Sequence, residues 1–588
     1  MTIQDTRLEG FVQAFFEETF RFNRSAAPIR PGDPPPWKDG LDPEDLNRVA
    51  WFLRDDLGLE VTREEVLGRN LSSPGKVLDY LRERGVPPPS STWPPPKDVG
   101  RFLFQGAARG RERPFLLEEE ATWTWGDLLD FSLGAAATLE ELGLKTGDRV
   151  ILHLPNSIHY ASWFFGTLLA GGTVVPLHPA LRHSEISDVK AGSGALFMVD
   201  QVYETARAME EDLLVIWTGK EEPRFRWADA RRPGKSLRLP LAERPHTAMI
   251  LFTSGTTGAP KGAALSHRAL YENTTAILSY LDLRPEDRVL AALPWCFAYG
   301  NSVLLTHARV GGTLVTDKNI QFPPVVRRVL EEKGVTGIPA VPPFFATLLS
   351  RGRLDYRKLP RLRYITVAGG ALPLPQLEKL RQVLPGVEPW VMYGQTEACA
   401  RLSYMPPKDL DSHIGSSGRP VAGIELKVMR PDGTFAPADE PGEVVARGTS
   451  IMDGYFGDPE ATEEAIRGGW LHTGDLGRIS ADGFIYIIDR IKAMLKVDGF
   501  RVSPLEVERV ISKIGWVEEA MVLAERAPDG KEILAARVVP KPGAHPDEQE
   551  VRLFCSRELA SYKVPRKVDF VDTLPRTAGG KLLRARKA

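Results

Sequence analysis

Five short segments of this chain gather residue types that handle phosphate and carboxylate groups. Residues 253–262 read TSGTTGAPKG and follow the apolar stretch AMILF. Glycines there permit positive φ and close backbone approach to a polyanion, hydroxyls and amides donate hydrogen bonds, and Lys261 adds a charge. This is phosphate-cradling chemistry, although neither a Gly-x4-Gly-Lys-Ser/Thr loop nor a G-x-G-x-x-G dinucleotide pattern aligns with it. Residues 393–397, YGQTE, follow a second apolar stretch, WVM, and place a carboxylate beside hydroxyl donors. Taken alone, a Thr-Glu pair is a helix start, the threonine capping and the glutamate complementing the dipole. Further on stand GWLHTGD at 469–475, then Asp489-Arg490-Ile491-Lys492 with Lys496, Gly499 and Arg501, and finally PRTAGGK at 575–581.

In this order the five segments closely resemble the adenylate-forming superfamily of acyl-CoA synthetases, peptide-synthetase adenylation domains and luciferases, over about residues 95–588. The resemblance implies an AMP-dependent acid–thiol ligase. Such an enzyme joins a carboxylic acid to the α-phosphate of ATP, releases pyrophosphate, and passes the acyl group from acyl-AMP to the thiol of coenzyme A. Two anions must meet, so cations and backbone donors are needed where charge accumulates. By resemblance, Thr253, Ser254, Gly255, Thr256, Thr257, Gly258 and Lys261 hold the β- and γ-phosphates and move as pyrophosphate leaves. Thr396 contacts the α-phosphate, and Glu397 coordinates Mg²⁺, a hard cation bridging phosphate oxygens. Asp475 accepts from both ribose hydroxyls, with Arg490 in support. Tyr393, Gly394 and Gln395 complete the nucleotide set. Gly369, Gly370 and Ala371 lie along the adenine and acyl group, or form a plain strand-end turn. Lys581 reaches between the substrate carboxylate and the α-phosphate. Lys492 is the hinge of a rotation that withdraws Lys581 and presents Lys496–Gly499 instead. Gly499 leaves room for the pantetheine arm of the acceptor.

The acyl pocket departs from the family pattern. Many relatives carry L-P-L-F-H-x-x-G, whereas residues 293–300 here read LPWCFAYG. Trp295, Phe297, Tyr299 and Gly300 are the expected substrate-binding positions, with Phe297 where the histidine would stand. The imidazole's part in gating or orienting substrate then falls to an apolar ring or to nothing, which favours a hydrophobic acid, fatty or aryl. Phe344 and Phe345 line the same pocket or pack in the core.

The elements that must position these groups follow from length and periodicity. At 588 residues the chain is too long for one core. From about residue 97, helical patterns such as WGDLLDFSLGAAATLEELG alternate with strand patterns such as RVILHLP, the mark of an α/β body. After Arg490 come a helix opened by Ser503-Pro504, the strands AMVLA and ILAARVV, and a helix around Val551. The expected division is a small helical module at 1–92, a large multi-subdomain adenylation body at 93–489, and a small mobile α+β C-terminal domain at 490–588. Helical spacing of Leu46, Val49, Ala50, Leu53 and Leu57 supports the first, and VPPPSSTWPPP at 86–96 reads as a linker. That module faintly resembles the second half of an acyl carrier protein, but Asp42-Pro43-Glu44-Asp45 replaces the modified serine. It is a docking remnant or an unrelated helical cap.

A net charge of -2 argues against nucleic acid as a partner. Three cysteines without metal-type spacing and a start with no signal-peptide pattern point to a reduced, cytoplasmic setting. The run WFFGTLLAGGTVVPL from Trp163 fits a helix, a turn at Gly171-Gly172 and a buried strand better than a membrane span. Oligomeric state is not legible. The nearest rival function keeps adenylation but delivers the acyl group to an acyl carrier protein. A luciferase-like oxidase shares the motifs without specific support. A non-catalytic nucleotide-binding sensor or scaffold would have been favoured by loss of Lys581, Glu397 or Asp475, and all are present. No G-x-S-x-G elbow supports a serine hydrolase.

Overall fold

A computed structural model describes residues 71–84, 97–201, 213–217, 226–227, 246–253, 260–370, 372–491, 495–497, 500–526, 532–559 and 563–576, with residues 12, 49, 53, 65, 66, 69 and 209 singly. Ser254, Gly255, Thr256, Thr257, Gly258, Ala371, Lys492, Gly499 and Lys581 lie outside them, as do most of 1–92 and the whole of 86–96.

Two large mixed sheets form the body. One has nine strands, in the order Arg419–Pro420, Ser403–Met405, Glu388–Tyr393, Tyr364–Val367, Gly337–Ala340, Arg288–Leu290, Thr313–Val315, Pro114–Leu117, Thr122–Thr124. Its centre is parallel and its edges antiparallel. The other has eight, in the order Gly454–Tyr455, Lys261–Ser266, Thr247–Thr253, Thr173–Leu177, Arg149–His153, Phe197–Asp200, Leu214–Trp217, Arg226–Trp227. Strands such as Thr173–Leu177 are buried along their whole length, as a parallel strand covered on both faces must be.

Helix Trp125–Glu141 starts at a capping box, in which Thr124 and Asp127 satisfy each other's backbone amides. Ile158–Leu169 packs on it where Gly166 offers no side chain; a Cβ there would lie 2.6 Å from the Ala135 Cβ. The apolar run at Trp163 therefore divides as expected into this helix, a turn with Gly171 at φ +81°, and the strand Thr173–Leu177. Twelve residues span about 18 Å, too short for a bilayer core. Among the described residues no helix is long and apolar enough to cross a membrane. One apolar core, including Phe115, Trp125, Phe164, Leu251 and Leu305, runs through both sheets.

A third, antiparallel sheet holds Ile424–Met429, Gly442–Gly448, Ile466–Arg467, Trp470–Ile479 and Ile485–Arg490. The C-terminal region builds its own core of Val507, Ile511, Val522, Leu534 and Val551. Its sheet consists of Val517–Arg526, Glu532–Pro540 and Lys567–Phe570, and its helices are Pro504–Ile511, capped by Ser503, and Glu548–Glu558. These elements match the α+β pattern read from the sequence. Asp489 accepts from the Ser503 hydroxyl and from the Leu505 amide, and Arg509 donates to the Ile487 carbonyl at 3.2 Å, so the expected boundary near 490 is bridged. Within residues 1–92, Pro74–Glu83 is a helix capped by Ser73, burying Val77, Leu78, Tyr80 and Leu81.

Candidate nucleotide and acyl site

The glycine-rich stretch joins two antiparallel strands, Thr247–Thr253 and Lys261–Ser266, so Thr253 and Lys261 are cross-strand partners at its base. The Thr253 hydroxyl donates to the Lys261 carbonyl at 3.3 Å. Gly454–Tyr455 adds to the edge of Lys261–Ser266, and the Lys261 ammonium lies 5.4 Å from the centre of the Tyr455 ring. The Tyr455 hydroxyl in turn donates to Glu397 Oε1 at 2.8 Å. Burial, then the Glu397 charge, raises the Tyr455 pKa, so the phenol stays a donor. Tyr455 thus ties the phosphate-loop strand to Glu397. Sequence reasoning missed it, because a lone tyrosine in MDGYFGD carries no pattern of its own.

Tyr393 ends a parallel strand, where open α/β sheets place ligands. After it the chain folds back sharply. A Cβ on Gly394 would lie 1.9 Å from the Ala400 carbonyl oxygen, so glycine is required there. The 3₁₀ turn Thr396–Ala398 is followed by Cys399 at φ +54° and Ala400 at φ +114°, two consecutive non-glycine residues in left-handed space. Strain of this kind, about 1–3 kcal/mol per residue, persists only where surrounding structure imposes it. Here it fixes Glu397, whose Oε2 has no protein partner among the described residues. One carboxylate oxygen left open, on a residue that Tyr455 links to Lys261, suits Mg²⁺, which takes few protein ligands and keeps water and phosphate oxygens.

Asp475, 4% exposed, stands opposite Arg490 across the third sheet. Its Oδ2 accepts from the Tyr393 hydroxyl at 2.6 Å and its Oδ1 pairs with Arg490 Nε at 2.7 Å. Arg490 also donates to the Thr473 carbonyl at 3.3 Å. Burial, then Asp475, pushes the Tyr393 pKa well up, so the phenol remains protonated. Tyr393 in one sheet, and Asp475 and Arg490 in another at least 82 positions further along the chain, are therefore one contact cluster. Gly369, at φ +82°, and Gly370 are exposed just past the strand Tyr364–Val367.

The LPWCFAYG segment runs from the end of Arg288–Leu290 into helix Ala298–Val310. Asn156 clamps it, donating to the Ala291 and Leu293 carbonyls and accepting from the Trp295 amide at 2.8 Å. Gly300 is demanded by packing, since a Cβ would sit 2.0 Å from the Pro294 carbonyl oxygen. Tyr299 donates to the Thr366 carbonyl at 2.8 Å, one strand end from Gly369, and burial pushes its phenol up to about 12. Trp295 does not join it: the side chain is 0% exposed and packs edge-on against Tyr160 in the core. Phe345 is likewise core.

Phe297 is 37% exposed and stacks on His178, ring centres 5.7 Å apart. An imidazole nonetheless stands beside this position, carried by the residue that follows the strand Thr173–Leu177 of the other sheet. Burial, then the neighbouring His153, lowers the His178 pKa, keeping the ring neutral. A second missed residue is Arg401, 3% exposed, with its guanidinium 4.2 Å from the Tyr299 ring centre and Nε 3.1 Å from the Met392 sulfur.

Known proteins resemble this chain over most of its length. The AMP-binding enzyme family model matches residues 103–456, and that of the AMP-binding enzyme C-terminal domain matches 506–581. A 4-coumarate–CoA ligase of Oryza sativa is 33% identical over 82% of this chain and 92% of its own. A long-chain-fatty-acid–CoA ligase of Escherichia coli is 32% identical with the same coverage. The o-succinylbenzoate CoA synthetase of Bacillus subtilis, solved with its acyl-adenylate, superposes with TM-score 0.73 at 29% identity, covering 82% of this chain and 97% of that one. With the glycine-rich connection and the strained turn bearing Glu397 both inside the first matched region, the chain belongs to the AMP-binding enzyme family of adenylate-forming ligases.

Proposed function

We infer that this chain is an AMP-forming acid–CoA ligase that activates a hydrophobic acid, fatty or aryl, through acyl-AMP. The observation that carries the reading is the buried Asp475 carboxylate, held by Tyr393 and Arg490 close to the turn that presents the open oxygen of Glu397. A bidentate acceptor suits a ribose diol, and a hard oxygen beside it suits the cation of a nucleoside triphosphate. Mg²⁺ held by Glu397 would neutralise phosphate charge. Thr253 and Lys261 flank the phosphates, Thr396 donates at the α-phosphate, and Asp475 fixes the ribose so that the α-phosphorus faces the acid.

A carboxylate oxygen of the acid attacks the α-phosphorus, the bond to the β-phosphate oxygen breaks, and pyrophosphate leaves. Lys581 offsets the repulsion of the two anions in this step. Rotation about Lys492 then exchanges Lys581 for the Gly499 segment. The thiol sulfur attacks the acyl carbon, the bond to the AMP phosphate oxygen breaks, and AMP and a proton depart. Phe297 and Tyr299 border the acyl group, and their aromatic surface supports a hydrophobic acid.

The test is pyrophosphate release against a panel of fatty and aryl acids, with and without coenzyme A, the products resolved by mass. Acyl-CoA is the expected product and its mass names the acid. Acyl-AMP that forms and ignores coenzyme A points to a carrier-protein acceptor. Nucleotide binding without pyrophosphate release from any acid overturns the ligase reading in favour of a sensor.

A further inference from the structure

Asp475 sits on an irregularity of its strand. Across the third sheet Glu443 faces Leu476 and Val445 faces His472, so Val444 alone stands opposite Thr473, Gly474 and Asp475. The strand Trp470–Ile479 therefore carries a β-bulge here, two residues longer than its neighbour. Bulges of this kind re-aim side chains and occur next to active sites. The extra length turns the chain at Gly474, φ +70°, and brings the Asp475 carboxylate to the Tyr393 hydroxyl of the nine-stranded sheet at 2.6 Å. The place of Asp475 is thus a property of the bulge.

A bulge gives up regular ladder bonds, so its backbone groups need other partners. The Thr473 hydroxyl donates to the Val444 carbonyl at 2.7 Å and accepts from the Asp475 amide at 3.1 Å. From the neighbouring strand comes Glu443. Its Oε1 accepts from the Gly474 amide at 3.1 Å, and its Oε2 lies 2.8 Å from His472 Nδ1. One carboxylate therefore grips the residues on both sides of Thr473. Arg467 Nη2 closes the group, 3.7 Å from the same Oε2 and 2.6 Å from His472 Nδ1. The Glu443 side chain is 21% exposed, so its charge is largely withdrawn from water and committed to these contacts. A charged acceptor also holds an amide more firmly than a neutral one does.

We propose that Glu443 is a positioning residue for nucleotide recognition: by gripping Gly474 and His472 it holds the bulge that aims Asp475 at the ribose hydroxyls. This rests on the reading of Asp475 as the ribose acceptor. Because the effect of Glu443 passes through the backbone of Asp475, it falls on the hydroxyl contacts and shows in how well the protein tells ribose from deoxyribose.

The experiment measures KM for ATP and for 2′-deoxy-ATP by pyrophosphate release in wild type, Glu443→Ala, Glu443→Gln and Asp475→Asn. One hydroxyl bonded to a carboxylate predicts that wild type prefers ATP by about tenfold or more. Glu443→Ala should lower that preference by about threefold or more, and Glu443→Gln, whose amide oxygen still accepts from Gly474, should recover most of it. A variant that had merely lost stability would yield less active protein and keep the preference. A smaller fall in Glu443→Ala, where Asp475→Asn loses the preference, overturns the proposal and leaves the ribose reading standing; so does a fall that glutamine fails to recover. A wild type without preference, or one whose preference survives in Asp475→Asn, refutes the ribose reading and the proposal with it. Should Glu443→Ala fail to fold, Glu443→Asp, whose carboxylate stops one methylene short of Gly474, takes its place under the same criteria. If wild type releases no pyrophosphate with any acid, calorimetric Kd values for the two nucleotides replace KM and the same ratios decide.

Discussion

Gly394→Ala is the substitution whose consequence follows most directly from the geometry. The added Cβ would lie 1.9 Å from the Ala400 carbonyl oxygen, 2.7 Å from the Ala400 carbonyl carbon and 2.9 Å from the Arg401 Cα. Carbon–oxygen contact needs roughly 3 Å or more, so the two backbone segments must part by about 1 Å. The opposing atoms are backbone and have no rotamer to change. Ala400 already sits at φ +114°, and the turn is tied at its far side by the Leu402 amide to the Tyr393 carbonyl at 2.9 Å. Overpacking of this kind costs about 1–3 kcal/mol. The displaced turn carries Thr396 and Glu397, and a 1 Å misplacement of reacting groups costs about 10²-fold in rate. The assay is kcat/KM for pyrophosphate release together with the thermal midpoint. Gly75→Ala, at a helix position with nothing within 4 Å, serves as the control. A Gly394→Ala enzyme within threefold of wild type in kcat/KM would refute the claim that this close approach sets the position of Glu397.

Tyr393→Phe and Asp475→Asn should each raise the KM for ATP, and in a double-mutant cycle their effects should fall short of additive by about 1.5–3 kcal/mol, the worth of a hydrogen bond to a charged group; additive effects would separate the two residues. Lys581→Ala should abolish acyl-AMP formation yet spare thiolysis of supplied acyl-AMP, and Gly499→Trp should do the reverse; equal loss of both steps in either variant would sink that division of labour. His307 is 2% exposed, its pKa is lowered chiefly by burial, and its Nδ1 donates to the Val303 carbonyl at 2.9 Å. Its neutral form is the native one, so its contribution to stability is whole above the unfolded pKa of about 6.5 and is lost as pH falls below that, at up to about 1.4 kcal/mol per pH unit. Urea midpoints from pH 7.5 to 5.5 should therefore fall less steeply in His307→Gln than in wild type, and parallel slopes would count against it. Burial pushes the thiols of Cys296 to about 12 and Cys555 to about 11 and also raises Cys399, so native protein at pH 8 should resist iodoacetamide until unfolded; rapid native labelling of any of them would contradict this.

What the sequence made legible was whatever depends on neighbours along the chain. Parallel strands covered on both faces must be apolar throughout, so AMILF and RVILHLP announced themselves as strands before any partner was known. Caps are equally local, which is why Ser503 marks a helix start. The site was legible where a family motif spans several adjacent residues. It was illegible where one side chain crosses between segments. Tyr455 meets Glu397 from 58 positions away, and His178 meets Phe297 from the other sheet, each a single residue with no local pattern. Within LPWCFAYG the sequence could not say which side chains turn inward. Asn156 and the Pro294–Gly300 contact decide that, burying Trp295 and presenting Phe297 and Tyr299.

The costs in this structure are concentrated in one place. Cys399 and Ala400 adopt positive φ without being glycine, and directly after them Arg401 is buried with no carboxylate within ion-pair distance among the described residues, its charge met by the Tyr299 ring and a thioether. A buried cation without a counter-ion and two strained residues in succession are choices that stability alone would not retain. Placed between Glu397 and the ring of Tyr299, they form, on the proposed ligase reading, a floor that joins the nucleotide side of the site to the acyl side. The stiffness that orients Glu397 and the stiffness that shapes the wall at Tyr299 thus have one source. Changes aimed at acyl selectivity through Tyr299 or Arg401 should therefore disturb nucleotide geometry as well, whereas changes at His178, in the other sheet, should not.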